Sequence, residues 1–337
     1  MFKSLHHKHK FQDSKIRLVY ILAPSHSGST LLAMLLNSHP EICTVGELKI
    51  TTLGDPSLYR CSCRKMIRDC EFWNGISDDM LQRGFVFDIA DAGTDIRTNM
   101  DPYVSKLLKP LHRGPFLENI RDLALNLSPT WRNNLDKVLL KNSVLIECVA
   151  LRLKKKIVVD SSKIGIRLKY LLRNPELDIS VIRLIRDGRG VALAYLNPAI
   201  FADCQNASLR NGGAGGFLSN EHSSFADASL EWRRSNEEAD HLRECLPKEK
   251  WFELRYETLC NHPQETLKQI AIFLGVSSTT FSSDFRYKEH HVIGNGMRLD
   301  DTSNITLDER WRTHLTTEQL NIFENVAGNM NRKLGYF

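Results

Sequence analysis

The sequence predicts an α/β protein, a parallel sheet flanked by helices and folded as one domain with a helical insertion. Two observations carry this. Short apolar, β-branched runs occur at residues 17–23, 156–159 and 179–185, and each leads into a polar loop and then a segment with helical spacing. Strand–loop–helix units in series build parallel sheets. The chain has 337 residues, 42% of them hydrophobic and 25% charged, which is enough to bury a sizeable core.

The elements follow in order. Residues 17–23 (RLVYILA) read as a buried strand ending at Pro24, and residues 29–37 (STLLAMLLN) as a helix with hydroxyls at its start. Residues 50–155 are mostly helical in pattern and form the insertion. A second strand, KIVV at 156–159, runs into Asp160-Ser161-Ser162-Lys163, with a helix at 164–173. A third, ISVIRLI at 179–185, runs into Arg186-Asp187-Gly188-Arg189-Gly190, with a helix at 191–196. Residues 204–220 are rich in Gly, Asn and Ser and long for a structureless loop, so a mobile lid is expected there. A helix at 224–246, a strand at 250–255 and helices at 263–274 and 316–334 complete the domain, 17–337, behind a basic tail at 1–16. Parallel sheets gather ligands at the carboxyl ends of their strands, so the three polar loops should share one edge.

Composition narrows the function. Forty-five basic residues against 40 acidic ones give a net charge of +5, too small for a nucleic-acid binder, so any functional positive charge must be local. No run reaches the 18 or so apolar residues of a membrane span. The first 17 residues are basic and histidine-rich without an apolar core, which predicts an unexported, cytoplasmic protein whose eight cysteines stay largely reduced.

The loop Ser25-His26-Ser27-Gly28-Ser29-Thr30 is P-loop-like, joining a strand to a helix N-terminus. Backbone N–H groups and the positive end of the helix converge there on an anion, Gly28 permits close approach, and the hydroxyls can donate. An ATP-binding loop needs Gly-Lys-Ser/Thr, but here Ser29 follows Gly28. The bland alternative is an ordinary turn with a Ser/Thr cap.

These residues carry a family resemblance. APSHSGSTLL at 23–32, followed by His39-Pro40 and Gly46-Glu47, resembles the 5'-phosphosulfate loop of sulfotransferases that use 3'-phosphoadenosine 5'-phosphosulfate (PAPS), both bacterial members and protein-tyrosine sulfotransferases. In that pattern a Lys or Arg beside Ser-Gly meets the leaving oxygen and the sulfuryl group; here the position is His26. RDGRGVALAY at 186–195 is similar to the 3'-phosphate segment, with Arg186 matching the phosphate-binding arginine and Ala194 standing where the family usually has Ser, so that one hydroxyl contact is absent or is supplied by Tyr195 or another group. The resemblance implies that Lys163, in Asp160-Ser161-Ser162-Lys163, faces the sulfuryl site, that Glu47 is the general base with Glu41 as nearby rival, and that Tyr256 (in WFELRYETL) and Arg298 (in HHVIGNGMR, with Gly294 and Gly296 letting backbone approach a phosphate) lie at the nucleotide.

The resemblance implies single-displacement sulfuryl transfer from PAPS, with PAP as product, to an acceptor hydroxyl. A saccharide or small metabolite is favoured as acceptor, ahead of peptide tyrosine, and no metal is required. An ATP-using P-loop kinase and a catalytically inactive PAP-binding protein are the alternatives. Cys61, Cys63 and Cys70, ahead of Phe72-Trp73, have metal-like spacing, but a structural zinc site wants four ligands and the fourth is not evident; a reduced cluster or a disulfide is favoured.

Overall fold

A computed structural model describes residues 15–50, 53, 56–97, 100–109, 112–202, 204, 209, 222, 224–278, 281–287 and 290–337. Its centre is a five-stranded, all-parallel sheet of β1 (Ile16–Leu22), β2 (Ile42–Thr44), β3 (Ile157–Lys163), β4 (Leu177–Ile185) and β5 (Trp251–Arg255) in the order β2-β3-β1-β4-β5. β1 is flanked by β3 on one side and β4 on the other. The chain thus steps to opposite sides of β1, and the crevice for a ligand lies outside the carboxyl ends of these strands.

Each strand is apolar because helices cover both faces. α1 (Ser29–Asn37), with Ile21, Leu32, Leu36, Val159 and Ile182, forms one apolar cluster. The opposite face packs on the insertion: α2 (Glu71–Gln82), α3 (Pro102–Leu108), α4 (Pro115–Asn126) and the 25-residue α5 (Pro129–Leu153), with Trp73, Trp131 and Leu145 buried against Tyr20 and Val158. α6 (Gly165–Leu171) and α7 (Gly188–Leu196) follow β3 and β4; α8 (Pro198–Phe201) and α9 (Phe225–Arg243) come next. α10 (Tyr256–Asn261), α11 (Pro263–Leu274), α12 (Trp311–His314) and α13 (Thr317–Lys333) complete the order, and Thr316 caps α13 in a capping box with Gln319.

The expected elements are present with small changes of boundary. The second expected strand continues through Asp160-Ser161-Ser162-Lys163, which is the end of β3 rather than a loop. The three-residue β2 was not expected, since it is too short to show periodicity. Most of the expected lid at 204–220, and the tail to residue 14, lie outside the described residues. No helix among the described residues is long and apolar enough to cross a membrane.

Candidate active site

The loop between β1 and α1 is shaped by two left-handed residues, His26 (φ 60°) and Gly28 (φ 91°). The helix cap is Gly28, not a Ser or Thr, and no side chain bonds to the first turn, so the ordinary capped turn is excluded. Uncapped first-turn N–H groups are what an anion needs. Ser27 is fully buried, and its hydroxyl has no hydrogen-bond partner. A Cβ on Gly28 would lie 2.5 Å from the Tyr256 ring, so the close packing of Tyr256 on the loop requires glycine. Gly28→Ala is expected to cost about 1–3 kcal/mol of stability, measured by chemical denaturation, because both the φ and the contact must be forced.

Lys163 is the last residue of β3 and is also left-handed (φ 70°). Non-glycine residues in that region store strain that clusters at functional sites. Its side chain is 10% exposed and bonds Glu47 Oε1, while Lys49 Nζ lies 3.1 Å from Glu47 Oε2. Lys163 is therefore a paired, largely buried cation rather than a solvated surface lysine. Burial alone would raise the Glu47 pKa, but the charges and hydrogen bonds of Lys163 and Lys49 outweigh it and hold the carboxyl down at about 2. Glu47 is thus ionised at any physiological pH. Its rival Glu41 pairs with Lys156 instead, at 2.8 Å.

Glu47 is seated by main-chain pairing. Gly46 bridges Ile293, Ile293 N–H donates to Val45 O at 2.9 Å, and Glu47 N–H donates to Ile293 O at 3.4 Å. A Cβ on Gly46 would lie 1.9 Å from Ile293 O, so only glycine fits between the strands. The carboxylate of Asp160, fully buried, accepts from Leu48 N–H (3.1 Å) and Ser162 N–H (2.8 Å), and Ser162 Oγ accepts from Lys49 N–H (2.9 Å). The Asp-Ser-Ser-Lys segment therefore presents Lys163 and also fixes the backbone that carries Glu47 and Lys49.

Arg186 leaves β4 beside the loop. One guanidinium nitrogen donates to His26 O at 2.7 Å, another to Asp308 Oδ2 and O at 3.0 Å, and the plane sits 4.4 Å from the Tyr256 ring centroid. The Arg186 and Arg310 cations overcome the upward push of burial and hold Asp308 down at about 2. Burial pushes the Tyr256 hydroxyl well up, keeping it neutral.

One cavity of about 800 Å³ collects Ser25, His26, Gly28, Ser29, Thr30, Glu47, Lys49, Lys163, Arg186 and Tyr256 with Asn295, Arg286, Asp308 and Arg310. Three expected residues do not line it. Ser27 lies buried behind the loop. Ala194 is buried in α7, but its neighbour Tyr195 accepts from Ser25 N–H through its hydroxyl at 3.2 Å and meets the His26 ring edge-on at 5.2 Å, so a hydroxyl does reach the loop. Arg298, 2% exposed, donates to Gly294 O (2.8 Å) and Asn295 O (3.1 Å) over the Tyr59 ring, and thus clamps its own loop instead of facing the cavity. Gly294 serves close packing as well: a Cβ there would meet Glu47 Oε1 at 3.3 Å. Lys49, Arg286 and Arg310 were not singled out from the sequence, because each is placed by irregular backbone and not by a periodic element.

The fold and this site define an α/β protein with a cation-lined cavity at the carboxyl edge of its sheet. Residues 178–280, which contribute β4, Arg186 and Tyr256, match the profile of the sulfotransferase family. No curated protein matches the chain. Among solved structures, the chain is similar to the sulfotransferase domain from the curacin biosynthetic pathway (19% identity, 96% of this chain and 99% of that chain, TM-score 0.48). It is also similar to the sulfotransferase domain of the Synechococcus PCC 7002 olefin synthase (16%, 93% and 96%, 0.42) and to sulfotransferase STF9 from Mycobacterium avium (12%, 96% and 79%, 0.46).

Proposed function

We propose that this protein transfers the sulfuryl group of PAPS to an acceptor hydroxyl, with a saccharide or small metabolite favoured over peptide tyrosine. The observation that carries the reading is the convergence of an uncapped helix N-terminus, Lys163, Arg186 and an ionised Glu47 on one cavity. The residues present fit the nucleotide: the open first turn of α1 suits the 5'-phosphosulfate, and the guanidinium of Arg186 suits the 3'-phosphate, for which it would exchange Asp308.

PAPS supplies the sulfuryl group, and transfer forms the acceptor O–S bond as the S–O bond to the 5'-phosphate breaks. The chain's residues do the rest. Backbone groups of 27–30 hold the phosphosulfate. Lys163, with His26 lining the same cavity, neutralises charge on the bridging oxygen, which requires Lys163 to release Glu47. Losing that partner raises the basicity of the carboxylate at the moment it must take the acceptor's proton, while Lys49 keeps it oriented. Positioning and electrostatic stabilisation thus do most of the work.

Calorimetric titration tests the reading. PAP is expected to bind in the micromolar range, roughly 8 kcal/mol of binding free energy, with ADP and ATP plus magnesium much weaker. Tighter binding of ATP than of PAP would favour a kinase, and no binding of PAP would overturn the proposal.

A further inference from the structure

We propose that Cys61, Cys63, Cys70 and His291 bind a structural zinc ion that staples the insertion to the loop seating Glu47. The four ligand atoms lie within 4.8 Å of one another. Cys63 Sγ is 3.7 Å from Cys70 Sγ, and His291 Nδ1 is 3.4 Å from Cys70 Sγ and 3.9 Å from Cys61 Sγ. A tetrahedral ion with Zn–S bonds of about 2.3 Å holds its sulfurs about 3.8 Å apart, so these separations need only small adjustment. The fourth ligand comes from 221 residues further along the chain than Cys70, where no spacing rule could find it.

The local backbone is built for the purpose. Arg60 and Met66 pair antiparallel around a tight turn in which Cys61 N–H donates to Lys65 O at 3.0 Å, Arg64 N–H donates to Cys61 O at 2.8 Å, and Arg64 takes φ 70°. This turn brings the first two sulfurs to one side. Cys70 stands just before α2, and Phe72 in the first turn of α2 stacks face to face on the His291 ring at 4.4 Å and 2°. This stacking orients the imidazole. Three thiolates and an imidazole make a soft, four-membered donor set that fills the coordination sphere of zinc and leaves no position for water or substrate, the mark of a structural ion.

The consequence reaches the site. Ser62 Oγ accepts from Val292 N–H at 2.7 Å and Tyr59 Oη from Gly294 N–H at 2.8 Å. Ile293, two residues beyond His291, is the residue whose main chain pairs with Val45 and Glu47. A zinc at His291 anchors that pairing to the insertion.

The full-length chain, purified without a histidine tag or added metal, should contain about one zinc per chain by mass spectrometry, released on titration of its thiols with a mercurial. Cobalt exchanged for zinc should show thiolate charge-transfer absorption and tetrahedral ligand-field bands. Cys63→Ser and His291→Ala should each lose most of the metal, and chelation should lower the melting temperature of the wild type but not of His291→Ala. Wild-type protein with no stoichiometric zinc, or with a Cys63–Cys70 disulfide on peptide mapping, would overturn the proposal even if neither variant folds. Metal content is read without nucleotide, so its outcome is separate from that of the PAP titration.

Discussion

Glu47→Gln is expected to lower kcat by two decades or more, into the roughly 10²–10⁴ range of general-base removal, while PAP affinity changes little. Glutamine keeps the shape and can still accept from one lysine, but it cannot take the acceptor's proton. PAP affinity survives because the expected phosphate contacts come from the β1–α1 loop and from Arg186, neither of which bonds Glu47. Turnover within a few-fold of wild type would remove Glu47 from the mechanism, and loss of PAP binding would show that the substitution had disturbed the cavity instead.

The same variant has a stability signature. The folded pKa of Glu47, about 2, lies below its ordinary 4.5, so its pairing with Lys163 and Lys49 stabilises the folded state above pH 4.5. That contribution declines as pH falls from 4.5 toward 2. The difference in unfolding free energy between wild type and Glu47→Gln should therefore be level from neutrality to about pH 5 and shrink below it. A difference that grew in acid would contradict the assigned pairing.

Much of this was legible in the sequence because the fold is made of repeated strand–loop–helix units. An apolar run such as RLVYILA can only be a buried strand if small residues and then helical spacing follow it, and three such runs place their loops on one edge. Glu47 and Lys163, 116 residues apart, were assigned to the sulfuryl site by resemblance, and the sheet order explains their meeting: β2 lies beside β3, and the backbone after β2 runs to the carboxyl end of β3. What could not be read was the direction of long side chains on irregular backbone. Arg298 and Arg286 sit on neighbouring loops, yet the first turns inward to carbonyl oxygens over Tyr59 while the second lines the cavity. Composition carries no information on that choice. Gly294 was read as room for a phosphate, whereas its missing Cβ makes room for Glu47.

Arg167→Ala is expected to cost about 3–5 kcal/mol of folding stability, the largest effect of any single substitution considered, because it leaves a buried carboxylate unpaired. Arg167 and Asp160 are both fully buried, and two guanidinium nitrogens lie 3.2 Å from Asp160 Oδ2. The remaining donors reach Thr94 O at 2.7 Å and Asn142 Oδ1 at 2.6 Å, so the guanidinium also ties the insertion to β3. Removing it strands the charge on Asp160 in the buried interior. Asp160→Asn in the same chain should restore part of the loss, since an amide carries no charge and its oxygen can still accept from Leu48 and Ser162 N–H. The double variant is thus expected to be more stable than Arg167→Ala, an inversion that simple loss of packing would not give. It should still turn over more slowly than wild type, because the insertion has lost the guanidinium's ties to Thr94 and Asn142, and a neutral amide oxygen accepts more weakly than a carboxylate from Leu48 N–H and from Ser162, whose hydroxyl seats Lys49. Urea unfolding of the three proteins measures the first effect and single-turnover kinetics the second. A loss below about 1 kcal/mol for Arg167→Ala would contradict the role assigned to the buried pair.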